Sequence, residues 1–503
     1  MSKFSWFIVV FLFLSSCKSL SGYYDVTDFG AKNDSTKLST KAIQKAIDKA
    51  NANGGGKVVF PQGVYLTGTI VLKDNVTLYF NEGSRLKGSD KHADYLFHKT
   101  KISVYPNPNR AYLIYADGVK NISIEGKGVI DGNGTKFWEP FDTLPRWIKP
   151  LNGRVSNMIE INNSKNIVIK GVTLSNSPEW TCHLFDCDDV LVEGIRLVNN
   201  LYGPNNDGID ISGCNNVMIA NSYIETCDDA VCIKTFPSSR ESSNITVTNC
   251  IMKTTCVALK LGENFKRIAD VTFSNCIIYE SSRAIGIYGD CGGTTENINI
   301  SNIVCNTNAP LILNRPIQIG IWKGKGNPGK IRNISISNFT ATTEGRIMLT
   351  AIEGSLIENI TLRDVNLVYP MIEDPSKYAE GTTSNQFSSI DIDAKKAKAA
   401  IVAQNVNGLV IHNLNITWPH DTIPTQWKFV ERIENGSNRV HRPDYATPKA
   451  TEFSIVWAKN VDSGYIYAPL AKPSAHNVKD YLLINSNIKI KQTDTIRYDE
   501  KPL

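Results

Sequence analysis

One short pattern recurs along the chain: an Asn or Asp, then three residues in which apolar side chains alternate with others. It occurs at Asn121-Ile-Ser-Ile, Asn166-Ile-Val-Ile, Asp189-Val-Leu-Val, Asn216-Val-Met-Ile and Asn244-Ile-Thr-Val. It continues at Asp270-Val-Thr-Phe, Asn297-Ile-Asn-Ile, Asn333-Ile-Ser-Ile and Asn359-Ile-Thr-Leu. Between 166 and 297 the steps are 23, 27, 28, 26 and 27 residues. Alternation with period two marks a strand with one buried face, and a near-constant spacing of this size marks the coils of a solenoid. One coil cannot bury its inward face alone, so each must stack on its neighbours. The predicted fold is all-β: a right-handed parallel β-helix.

The flanks read as caps. In Thr40–Ala52 the side chains Ile43, Ala46, Ile47 and Ala50 share one helical stripe, and Gly54-Gly55-Gly56 follows as a stop. Such a helix would cover the open end of the stack. Beyond about Leu367 the period weakens into a proline-rich stretch with Trp418, Trp427 and Trp457, although Gly408–Ile416 and Tyr481–Ile490 still read as strands. The expected division is a β-helix over 25–366 and a C-terminal extension, 367–503, packed on it.

The first residues carry a different signal. Lys3 precedes an apolar run from Phe4 to Leu14, too short for a membrane span and typical of a signal-peptide core. The run ends in Leu14-Ser15-Ser16-Cys17, which has the form of a bacterial lipobox. Residues 1–16 are thus expected to be removed, with Cys17 lipidated and the protein exported to the periplasm or outer membrane. Ordinary cleavage nearby, with Cys17 incidental, is the plainer alternative.

Composition narrows the picture further. At 503 residues and 42% hydrophobic content the chain can build a large core, and a net charge of +5 gives no reason to expect nucleic acid. Ten cysteines lie between Cys182 and Cys305. Export permits disulfides, but several sit in repeated Asn-Cys turns such as Asn249-Cys250 and Asn275-Cys276, where buried free thiols serve equally well. No metal site or cofactor follows from their spacing, and a monomer is expected.

A second alternating segment lies in each coil: Gly208-Ile-Asp-Ile, Ala230-Val-Cys-Ile, Ala258-Leu-Lys-Leu and Ala284-Ile-Gly-Ile. Aligned, these stack Ile209, Val231, Leu259 and Ile285 inward, and Asp210, Cys232, Lys260 and Gly286 outward. The preceding residues form a further column of Asp207, Asp229, Val257 and Arg283. Asp207 and Asp229 are then about 4.8 Å apart along the stack, with Asp228 beside them. Crowded carboxylates repel and raise the proton affinity of at least one. One protonated and one ionised carboxyl group is what glycosidic cleavage needs. Turn chemistry at Asn205-Asn206-Asp207-Gly208 and calcium binding by the Asp pair are the competing readings.

At this point the residues resemble the polygalacturonases of glycoside hydrolase family 28, over roughly 25 to 365. Asp28-Phe29-Gly30-Ala31 and Gly54-Gly55-Gly56-Lys57-Val58-Val59-Phe60-Pro61 are similar to segments of pectin-active β-helices. Asn205-Asn206-Asp207-Gly208-Ile209-Asp210 resembles the family's Asn-Thr-Asp motif, and Cys227-Asp228-Asp229-Ala230 its Asp-Asp motif. Ser177-Pro178-Glu179-Trp180-Thr181-Cys182-His183 is similar to bacterial members and puts His183 near the cleft. The resemblance implies Asp228 as general acid, Asp207 and Asp229 holding and deprotonating the attacking water, and inversion at the anomeric carbon. Carboxylates this close would by the general rule favour retention, so stereochemistry rests on the resemblance.

Two departures bear on substrate. Val257 stands where the family's Gly-His-Gly motif has histidine, and Gly286-Ile287-Tyr288 where it has Arg-Ile-Lys. Those cations hold a galacturonate carboxylate in the family, and Gly and Tyr cannot form such a clamp. Lys260, Arg283 and Tyr288 are the expected substitutes, with Lys234, Glu263, Arg315 and Trp322 nearby in repeat position. The expected activity is hydrolysis of an α-linked bond in a pectic or similarly acidic polysaccharide other than plain polygalacturonan. Insertions at 104–110 and 133–155, with Trp138 and Trp147, favour attack at chain ends. The alternatives are a polysaccharide lyase on the same solenoid and a non-catalytic glycan-binding lipoprotein.

Overall fold

The structure is a computed structural model. It describes residues 22–103, 109–140, 147–309, 314–343, 345–370, 394, 397–419, 434–435, 438–439, 453–474, 476 and 478–491. The signal segment, Cys17 and Trp427 lie outside these, as does most of the 104–110 insertion.

Strands make up 57% of the structure, and all but two short antiparallel pairs join in one parallel sheet that winds as a right-handed β-helix. One coil comprises Ile209–Ser212, Asn215–Ala220 and Tyr223–Thr226. The next comprises Val231–Thr235, Ser242–Thr248 and Ile251–Thr254, each strand pairing in parallel with its counterpart. The register follows the aligned repeats: Ile209 pairs with Val231, Val231 with Leu259 and Leu259 with Ile285, all buried in the core. Burying one such side chain stabilises by roughly 1.5–3 kcal/mol.

The asparagines that mark the repeat have a specific backbone task. All nine motif positions, from Asn121 to Asn359, have φ between +54° and +58° or within a degree of it. This left-handed bend turns one strand into the next, and Asn and Asp tolerate it better than other non-glycine residues. Their side chains also bond from coil to coil: Asn166 Nδ2 donates to Asn121 Oδ1 at 2.9 Å, and Asn333 Nδ2 to Asn297 Oδ1 at 3.1 Å. Next in the column stands Gly408, at φ +76°.

The helix Thr40–Ala52 buries Ile43, Ala46, Ile47 and Ala50 against the first strands and covers the N-terminal end of the stack. The C-terminal boundary differs from the expected one. Ala399–Thr417 pairs with Ile347–Ala351 and Ile357–Val368, and Ser454–Asp462 pairs with it in turn. Tyr481–Ile484 and Ile488–Lys491 continue the same ladders. The coils therefore do not stop at 366: the described strands beyond it are further turns of the solenoid. Long insertions between these strands hid the period. The ten described cysteines are buried free thiols.

Candidate active site

The acidic residues stand where the coils begin. Gly208 is the reason they come so close: a Cβ there would lie 2.3 Å from the Ala230 carbonyl oxygen of the next coil. Backbone bonds tie the two segments together, Gly208 N donating to Asp229 O at 2.8 Å and Ile209 N to Ala230 O at 3.0 Å. Asn206 Oδ1 accepts from Cys227 N at 2.9 Å, and Thr255 Oγ1 donates to Cys227 O at 2.7 Å. The turn before Asp228 and Asp229 is thus held from both neighbouring coils.

Asp207, Asp228 and Asp229 line one cleft of about 480 Å³. Asp207 and Asp229 form its floor, at 3% and 1% exposure, while Asp228 is only partly buried. Asp229 Oδ2 receives Lys260 Nζ at 2.5 Å. Lys234 Nζ lies 2.7 Å from Asp210 Oδ1 and 3.5 Å from Asp207 Oδ2, with its charge 3.8 Å above the Trp180 ring. Asp207 Oδ1 and Asp229 Oδ1 are buried without a hydrogen-bond partner in the protein.

These surroundings separate the two floor carboxyl groups. Burial, then the charges of Asp228 and Asp210, push Asp207 well above the usual carboxylate range despite Lys234. Burial acts on Asp229 in the same direction, but Lys260 and Lys234 outweigh it and hold Asp229 below its ordinary value. Neighbours on adjacent coils therefore favour opposite protonation states.

Lys260 lines the cleft, as do Arg283, Tyr288, Lys234 and Trp322. Two expected residues do not. His183 lies beneath the wall, its Nδ1 2.9 Å from Glu160 Oε2 and Nε2 3.0 Å from Ser212 Oγ, with the Trp180 ring packed edge-on against it. It belongs to the outward column between Glu160 and Asp210, where neighbouring side chains bury it completely. Arg315 is one coil beyond Arg283 in the same column, buried and not part of the cleft lining.

Other lining residues lacked a signal in the repeat. Glu179 is held by Arg110 at 2.5 Å and Arg154 at 3.0 Å, both from segments outside the regular strands' period. Lys323 and Lys325 come from the loop after Trp322, where Lys325 pairs with Glu263. The lining carries Glu179, Asp207, Asp228, Asp229, Glu263 and Asp290 against Lys234, Lys260, Arg283, Lys323 and Lys325. Its charge is nearly balanced, unlike the cationic channel a uniform polyanion would favour. Asp228, Asp229 and Cys256 bring possible metal ligands within 4.8 Å of one another. The ammonium of Lys260 on Asp229 opposes a divalent ion there.

Residues 57–387 match the family described as "Glycosyl hydrolases family 28". The chain belongs to that family. A Vitis vinifera protein named "Probable polygalacturonase" is 26% identical over 444 residues, covering 82% of each chain. The "Endo-polygalacturonase" of Pectobacterium carotovorum subsp. carotovorum is 25% identical over 352 residues, covering 67% of this chain and 85% of that one. The family 28 exopolygalacturonase structure from Yersinia enterocolitica superimposes with a TM-score of 0.62 at 19% identity, over 83% of this chain and 79% of the other. This family 28 chain is a glycoside hydrolase, and its family acts on pectin-like polysaccharides.

Proposed function

We propose that the protein hydrolyses an α-glycosidic bond in an acidic, pectic polysaccharide, with Asp228 as general acid and Asp207 and Asp229 activating water. One observation carries this reading: on adjacent coils, Asp207 Oδ1 and Asp229 Oδ1 are both buried acceptors without a protein donor, below the more exposed Asp228. Two such acceptors suit a water that must be held and deprotonated. Asp229, kept ionised by Lys260, can take the water's proton, and Asp207, which favours its protonated form, holds the water by a hydrogen bond. Asp228 stands at the mouth, within reach of a leaving oxygen. Attack by water rather than by a carboxylate gives inversion, as in the family resemblance.

Trp147, from the 133–155 insertion, and Glu179, fixed by two arginines, wall the cleft and support attack near chain ends. Lys260, Lys234, Arg283, Tyr288 and Trp322 are the substrate contacts in this proposal, and the exported form is a lipoprotein anchored at Cys17. The test is a product screen on a panel of acidic polysaccharides with wild type and Asp228→Asn. Wild type should release reducing ends without ultraviolet-absorbing unsaturated product, and the variant should lose at least about 10² in rate. Equal rates would remove Asp228 from the role of acid, and unsaturated product would mean a lyase.

A further inference from the structure

Trp180 lines the cleft beside the acids, yet only 7% of it is exposed. Its backbone is pinned, Trp180 O accepting from Met158 N at 2.9 Å and from Ser177 Oγ at 3.0 Å. Ile102, Phe185 and Phe236 pack around the ring. His183 backs it at 5.1 Å between centroids and is itself locked by Glu160 and Ser212. An indole held this firmly is a fixed surface. What lies on that surface is the ammonium of Lys234, 3.8 Å from the ring centroid.

Lys234 is 4% exposed and sits among charges from several coils. Asp207 and Asp210 face it from the preceding coil, at 3.5 and 2.7 Å, and Asp229 from the start of its own. Lys260 and Lys325 approach from later coils and repel it, while His183 acts on Asp210 from beneath. Lys234 draws down both Asp207 and Asp229, so the place of its charge matters to the pair. An aromatic face attracts a desolvated cation through its quadrupole and adds no titratable group. A further carboxylate in the same place would also hold the lysine, but it would press on acids that already crowd one another.

We infer that Trp180 is a positioning residue of the active site: its face holds the Lys234 ammonium against Asp210 and Asp207 and so keeps that charge on the water-activating pair. The role rests on the hydrolase reading of the pair, whereas the contact itself can be tested without substrate.

Urea unfolding at pH 7 of wild type, Trp180→Leu, Lys234→Met and the double variant forms a cycle. The double variant should be more stable than the two single losses predict, by about tenfold in the folding equilibrium constant. Should Lys234→Met alone fail to fold, the cycle is run with Asp210→Asn present throughout, which removes the carboxylate nearest the lysine. On the acidic polysaccharide that wild type cleaves, Trp180→Leu should move the acid limb of kcat/KM to higher pH, because Asp229 loses part of the charge that keeps it ionised. Trp180→Phe retains an aromatic face and should keep most of the wild-type profile. Additive effects in the cycle overturn the inference. So does a raised KM in Trp180→Leu with the limb unmoved, which would make the indole a sugar platform. Absence of hydrolysis by wild type counts against the hydrolase reading alone, and the cycle still decides the contact.

Discussion

Lys260 Nζ reaches Asp229 Oδ2 across one coil boundary at 2.5 Å, and that contact reverses the effect of burial on the carboxyl group. Asp229 is held below its ordinary value, so its stabilisation is present above pH 3.8 and disappears as pH falls through the lowered folded value. Replacing Lys260 by Met leaves an almost fully buried carboxylate without its cation. Urea unfolding at pH 7 should then show a loss of about 3–5 kcal/mol, and Asp229→Asn in the same chain should restore much of it. A loss that the second substitution leaves untouched would mean the lysine acts through packing alone.

Asp207 has the opposite linkage. Its folded value is raised, first by burial and then by Asp228 and Asp210, so the folded state holds its proton more tightly than the unfolded chain. Its favourable contribution is complete below pH 3.8 and is lost as pH rises through the raised folded value. Asp207→Asn should therefore unfold at higher urea than wild type at pH 7, with the difference shrinking towards pH 4, while activity is abolished. Destabilisation at pH 7 would contradict the sign.

The asparagine column makes a prediction about folding rather than chemistry. Asn297 sits at φ +58°, donates to Asp270 Oδ1 at 3.0 Å and accepts from Asn333 Nδ2 at 3.1 Å. Asn297→Ala combines a left-handed penalty of roughly 1–2 kcal/mol with the loss of two exposed hydrogen bonds. Asn297→Gly relieves the first and keeps the second. Thermal unfolding should rank wild type above Gly and Gly above Ala.

Export and lipidation are tested at one residue. Expressed in a bacterial host with labelled palmitate, the wild-type chain should carry label and fractionate with membranes. Cys17→Ser should carry none. Equal labelling would place the acyl group elsewhere.

Much of the architecture was readable because a solenoid repeats one local solution. Apolar alternation is interrupted by Asn or Asp at each bend, so registers such as Ile209 with Val231 and Lys260 with Gly286 follow from alignment alone. The same logic brought Asp207 beside Asp229 and put Lys260 and Tyr288 on the cleft. It failed where residues leave the period. Ala399–Thr417 and the strands after it extend the stack, but the insertions between them obscured their spacing. Resemblance of one segment to other family members also says nothing about cover: it puts His183 near the cleft, whereas His183 lies buried beneath Trp180.

Local alternation and left-handed turn residues thus dictate the coil, its register and the meeting of three aspartates, since each depends only on neighbouring repeats. Partnership inside the cleft depends on side chains from distant, irregular segments. Arg110 and Arg154 on Glu179, Lys325 on Glu263, and the Tyr288 phenol folded over Gly286 against Trp322 are such cases. Periodicity fixes where a strand residue points; which charges are neutralised and which wall is apolar is fixed only when those segments close over it in three dimensions.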